Sequence, residues 1–135
     1  MKKNNHVTFK LNIPCSKHYF KYYIFNTKNE IHEFDDILTT RLRKKDPKWK
    51  YTTFDYGALT LRHINEHNGK VLPLLGYILF SKEQFDYGTI AHEMFHVTKF
   101  YIDNFGGDNK LYNTLDKEEK LAGCLGDLVN NFMTR

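Results

Sequence analysis

The run Asp86-Tyr87-Gly88-Thr89-Ile90-Ala91-His92-Glu93-Met94-Phe95-His96-Val97-Thr98 is where the chain changes rhythm. Ile90, Ala91, Met94, Val97, Thr98, Tyr101 and Phe105 recur at three- and four-residue spacing, which predicts a helix from about Asp86 to Asn104 with one apolar face. Gly106-Gly107 follows it and predicts a left-handed stop. Immediately upstream, the uncharged run Leu74 to Phe80 reads as a strand. Downstream, Asp116 and Glu119 have the spacing of a capping box. Leu121, Leu125, Leu128 and Phe132 then form the apolar stripe of a second helix.

Toward the N-terminus the period falls to two. Val7, Phe9, Leu11 and Ile13 alternate with polar residues up to Pro14, which predicts a strand. Tyr19 to Phe25 reads as a second strand, paired as a hairpin with a third at Ile31 to Phe34 across Asn26-Thr27-Lys28-Asn29. A short helix capped by Asp35 or Asp36 then runs to about Lys45, with Pro47 as its stop. Asn68-Gly69, the dipeptide of a type I′ turn, joins strands at Ala58 to His67 and Lys70 to Phe80, and Pro73 marks a bulge or an unpaired edge in the latter. The expectation is a single α+β domain spanning residues 1–135. It has a mostly antiparallel N-terminal sheet with a short helix, then two packed C-terminal helices.

Composition narrows the function classes. The 135 residues are 41% hydrophobic and 27% charged, too apolar for disorder. The longest nearly uncharged stretch, Val71 to Phe80, is far short of the roughly 20 residues that cross a bilayer, and no apolar signal core follows the N-terminus. Cys15 and Cys124 lack metal-ligand spacing and lie far apart, so reduced thiols in a cytoplasmic setting are expected. The net charge of +4 comes mostly from lysine, unlike the clustered arginine footprint of dedicated nucleic-acid binders. The densest basic run, Arg41, Arg43, Lys44, Lys45, Lys48 and Lys50 around Trp49 and Tyr51, reads as a solvated helix end more readily than as a base-stacking surface.

Chemistry concentrates in His92-Glu93-Met94-Phe95-His96. Residues four apart on a helix share a face, so both imidazoles reach one point and can bind one Zn2+ at about 2.0–2.1 Å. Glu93 lies 100° round from His92, placed to act as a general base on water at the ion without ligating the ion itself. Composition alone produces this pattern about 2 times in 100, so context must decide. His63-Ile64-Asn65-Glu66-His67 is an equally probable inverted match that fails on context: on a strand running into Asn68-Gly69, its histidines stand about 13 Å apart. A catalytic zinc site needs a third protein ligand. Glu119 is the candidate, with Ala122 and Gly126 on its face allowing close helix approach, and Glu118 is the fallback. Helix capping by the acids and metal-free packing of Gly123 and Gly126 are the alternatives.

Gly88 to His96, followed after 22 residues by Glu119-Lys120-Leu121-Ala122, resembles the gluzincin-type zincin metallopeptidases, whose signature is HExxH with a downstream ExxA-like glutamate. Glu118-Glu119 with Leu121-Ala122, Gly126 and Leu128 is similar to small HExxH proteins encoded by bacteriophages. The resemblance covers about Leu75 to Phe132. It implies that His92, His96 and Glu119 bind zinc, that Glu93 activates water, and that the strand before the motif helix binds an extended peptide through Gly76, Tyr77 and Ile78. A position often held by aspartate in thermolysin-like members is Gly123 here. No residue matches the oxyanion-stabilising tyrosine or histidine, for which Tyr101 and Tyr112 are the tyrosines to consider. Two functions therefore follow as expectations. One is a zinc-dependent hydrolase of the peptidase class acting on a peptide or protein substrate. The other is an inactive zincin-like structural or assembly component of a phage particle, whose partners are other phage proteins.

Overall fold

The structure, a computed structural model, describes residues 6–45 and 58–134. Four strands form a mixed sheet in the order β1-β2-β6-β3, from β1 (His6–Asn12), β2 (Tyr19–Phe25), β3 (Ala58–Arg62) and β6 (Leu74–Ser81). Helix α1 (Lys28–Lys45) covers one face. Helices α2 (Tyr87–Phe105) and α3 (Lys117–Met133) cover the other, and the class is α+β. No helix among the described residues is long and apolar enough to cross a membrane.

β1 and β2 are the antiparallel hairpin, in register from His6↔Phe25 to Asn12↔Tyr19, and the Ile13 N–H donates to the His18 carbonyl to close it. The expected partner strand at Ile31 to Phe34 is instead the second turn of α1. Thr27 caps the helix: the Glu30 N–H donates to Thr27 Oγ1 and the Thr27 hydroxyl donates to the Glu30 carboxylate. Ile31 and Phe34, three apart on the helix, pack with Phe25, Leu61, Leu79 and Tyr77 on the α1 face of the sheet. Asp35 and Asp36 therefore lie inside a helix that starts earlier, and Pro47 lies outside the described residues. Because α1 carries the chain across the sheet, β2 pairs with β6 in parallel, a pairing that a hairpin reading excludes.

β6 is the central strand. Ile78 and Phe80 face α2 and α3 while Tyr77 and Leu79 face α1, and Leu75 breaks the alternation because β2 passes from Tyr19↔Leu74 directly to Phe20↔Gly76. That extra residue is the bulge. It falls two residues beyond Pro73, which precedes the strand and accepts the Tyr19 N–H at 3.0 Å. A Cβ at Gly76 would collide with the Leu61 carbonyl oxygen and the Phe20 ring, so only glycine lets β3 and β6 come together there.

The strand expected over Ala58 to His67 is interrupted. β3 ends at Arg62, and β4 (Glu66–His67) with β5 (Lys70–Val71) forms a separate ribbon across Asn68-Gly69. Both turn residues have positive φ, 53° and 77°, as the type I′ turn requires. The two C-terminal helices begin where the sequence places them, on Asp86 and Asp116 as N-caps. Gly106 ends α2 differently from expectation. Its φ is −59°, right-handed, and a Cβ there would meet the Ile102 carbonyl oxygen at 2.6 Å, so close approach and not a left-handed stop calls for glycine.

Candidate metal centre

Asp86 starts α2 by accepting the Thr89 N–H at 2.8 Å, which fixes the helix phase that the motif depends on. Ile90, Met94, Val97 and Tyr101 then point into the core and turn His92 and His96 to the helix flank. The two Nε2 atoms are 3.1 Å apart, with rings at 76° to one another. Without a cation this distance permits an N–H···N hydrogen bond. With one at about 2.05 Å from each nitrogen, the same separation subtends about 98° at the ion, close to the tetrahedral angle. The ligand atoms of His92, Glu93 and His96 all lie within 4.8 Å of one another, so the group fits a metal ion.

Glu93 is 4% exposed, and its two oxygens do different things. Oε1 accepts the Thr60 hydroxyl of β3 at 2.8 Å, while Oε2 lies 3.7 Å from His92 Nε2. Burial raises the Glu93 carboxyl above the ordinary glutamate range, opposed by the Thr60 hydrogen bond and by the charges of His92 and Arg62. Burial, then Arg62 and His92, lowers His96, which keeps its imidazole neutral and its lone pair available to a metal. A cleft of about 350 Å3 runs from His92 and Glu93 past Gly88 and Thr89 to Ala58 and Gln84.

Glu119 is not brought to this group. It is exposed in the first turn of α3, where its N–H donates to Asp116 Oδ1 at 2.9 Å. Contacts between Lys117 and Asp103 at 3.8 Å, and between Phe132 and Phe85, set α3 antiparallel to α2. Glu119 is therefore level with the far end of α2. It also sits about 180° round the helix from buried Leu128. Ala122 and Gly126 share its exposed face, and a Cβ at Gly126 would meet nothing within 4 Å, so these small residues do not serve helix approach. Gly123 lies against the Tyr112 ring instead. Glu118 is exposed as well.

Gly76, Tyr77 and Ile78 lie on β6, paired with β2 on one side and β3 on the other. Their ladder groups are engaged, and a peptide strand cannot add to them; the strand between α2 and the sheet margin, among the described residues, is β3. Tyr101 and Tyr112 also serve the fold. The Tyr101 hydroxyl accepts from Asn109 Nδ2 at 2.9 Å. The Tyr112 hydroxyl donates to Asp127 at 2.7 Å, and burial with that carboxylate pushes its pKa far up. Glu66 and His67 of the inverted motif are in strand β4. Lys48, Trp49, Lys50 and Tyr51 of the basic run lie outside the described residues.

Two neighbours escaped the sequence reading, Thr60 and Arg62. Ala58, Thr60 and Arg62 alternate onto the face of β3 that meets α2, and polar residues on the core face of a strand beside the motif helix were the available signal. The chain matches no known protein family, no characterised protein and no solved structure.

Proposed function

We propose that the chain is a zinc-dependent hydrolase of the peptidase class, with His92 and His96 as metal ligands and Glu93 as general base. The observation that supports this most is the division of labour in Glu93. One oxygen is tied to Thr60 while the other faces the point on which the two imidazoles converge. A bound Zn2+ supplies Lewis acidity, lowering the pKa of its water toward neutrality and polarising a substrate carbonyl. Glu93 takes the water proton at Oε2 and returns it to the leaving amine. Its raised pKa suits both halves of that transfer better than an ordinary carboxylate. Thr60 fixes the carboxylate plane throughout, and β3 offers the margin along which an extended peptide lies.

Completion of the zinc shell by Glu119 requires α3 to rotate and slide toward His96. A specific observation therefore favours a second reading, metal binding without turnover, since the histidine pair stands without that carboxylate. In that case the chain is a zincin-like structural component, as the bacteriophage resemblance implies. Glu93→Gln separates the two. On the hydrolase reading it abolishes cleavage of an unstructured protein such as casein while zinc stays bound. Casein cleavage that survives the change, or is absent from the zinc-loaded wild type, contradicts it.

A further inference from the structure

A second cavity, of about 640 Å3, lies away from the metal group and falls in the size range of small-molecule sites. Three separate elements wall it: residues 15–18 of the β1–β2 turn, Lys70 and Val71 of β5, and Tyr101, Phe105 and Asp108 at and beyond the end of α2. Tyr101 is nine residues past His92, about 14 Å along the helix, so the two sites are distinct. The wall is firmly joined. Asn109, 1% exposed, donates from Nδ2 to the Pro14 carbonyl at 2.8 Å and to the Tyr101 hydroxyl at 2.9 Å, tying the turn to the helix.

The floor holds an unused polar atom. His18 is 7% exposed, its ring centroid stands 4.3 Å from that of Phe105, and its Nδ1 has no hydrogen-bond partner. The ring also donates to the Pro73 carbonyl, so its proton is on the other nitrogen and Nδ1 presents a lone pair. A buried acceptor without a donor is costly, and a donor from a bound molecule is its natural complement. The rim carries separated charges. Lys17 and Lys70 are exposed on two of the elements and Asp108 on the third, and no ion pair joins the carboxylate to either ammonium.

We propose that this cavity binds a short peptide with free termini, a dipeptide at the least. The peptide carboxylate lies at Lys17 and Lys70, its ammonium lies at Asp108, and its amide N–H supplies the donor that His18 Nδ1 lacks. Phe105 and Val71 offer apolar surface to its side chains. A sphere of this volume is roughly 11 Å across and two extended residues span about 7 Å, which leaves a hydrogen-bond length at each end. A single amino acid is shorter and has no amide. The site stands whether or not the histidine pair holds a metal.

The probe is glycylphenylalanine, titrated calorimetrically into the purified wild-type chain. Cys15, exposed on the cavity wall, gives a second readout through its rate of alkylation. The dipeptide binds saturably at one per chain and slows that alkylation. Its N-acetyl and carboxamide derivatives, each short of one terminal charge, and phenylalanine alone bind at least ~10-fold more weakly. Asp108→Asn, a change at an exposed position, weakens the dipeptide by a similar factor and leaves the N-acetyl derivative unaffected. His18→Phe keeps a ring against Phe105, removes the acceptor, and weakens the dipeptide at least ~3-fold. Absence of saturable binding by the wild type overturns the inference. So does N-acetyl peptide or phenylalanine that binds as tightly as the dipeptide, or wild-type affinity in Asp108→Asn or His18→Phe.

Discussion

Thr60→Val tests whether the Glu93 carboxylate is held as the site requires. Valine keeps the shape and β-branching of threonine in β3 and deletes only the hydroxyl that donates to Glu93 Oε1 at 2.8 Å. The carboxylate is 4% exposed, so no solvent replaces the lost donor. A hydrogen bond to a buried charged group contributes about 1.5–3 kcal/mol, a large share of the stability of a domain this size. The loss depends on pH with a definite sign. Glu93 already titrates above its unfolded value, so between the two pKa values the folded state holds a proton that the unfolded state has released, and stability falls as pH rises through that window. Removing the hydroxyl raises the folded pKa further and extends the fall upward. Urea unfolding therefore shows the full difference between wild type and variant at about pH 8, and only the neutral-bond contribution of about 1 kcal/mol at about pH 4. A difference that is equal at the two pH values, or below about 0.5 kcal/mol at the higher one, refutes the reasoning.

The remaining expectations concern the ligands, the thiols and the bulge. His96→Ala weakens zinc by more than ~100-fold in a competition titration, whereas Glu119→Ala changes it by less than ~3-fold; a large Glu119 effect means that α3 does bring its first turn to the metal. Exposed Cys15 reacts with a thiol reagent in the native protein, while Cys124, fully buried and with its pKa pushed up to about 11, stays protected until the chain unfolds. Two thiols titrating at the same native rate contradict that burial. Gly76→Ala costs at least ~2 kcal/mol by urea midpoint, since its Cβ meets backbone at Leu61 and the β3–β6 register has nowhere to yield. A neutral outcome there means the bulge is elsewhere.

The histidine helix was readable because several features agree: an Asp cap, an apolar stripe at helical spacing, and two histidines one turn apart on the flank of that stripe. α3 and β2 were equally legible, and Asn68-Gly69 fixed its turn by conformational requirement alone. Ile31 to Phe34 is too short to declare its period by itself: Ile31 and Phe34 stand three apart, a helical spacing, and the Thr27 cap that decides the matter falls within a run of turn-forming residues. The parallel β2–β6 pairing joins segments some 55 residues apart, and no local pattern encodes it. At the site, spacing brought His92, Glu93 and His96 together because one helix turn fixes their distances. For Glu119 the sequence signal is the pair of small residues on its own face, Ala122 and Gly126, which point to a close helix approach that the packing does not make. The orientation of Glu119 depends on which face of α3 is buried, and Cys124, Leu128 and Phe132 take that face and turn it outward. Arg62 was invisible for the complementary reason, since only strand pairing carries it to α2.

The most direct measurement is the zinc bound by the purified chain beside that bound by the His92→Ala/His96→Ala double variant. Two imidazoles whose Nε2 atoms stand 3.1 Å apart should bind one zinc ion per wild-type chain at equilibrium with free zinc, and the double variant should bind none. Wild-type protein that binds no zinc under those conditions, or a double variant that binds it equally well, contradicts the account at its centre.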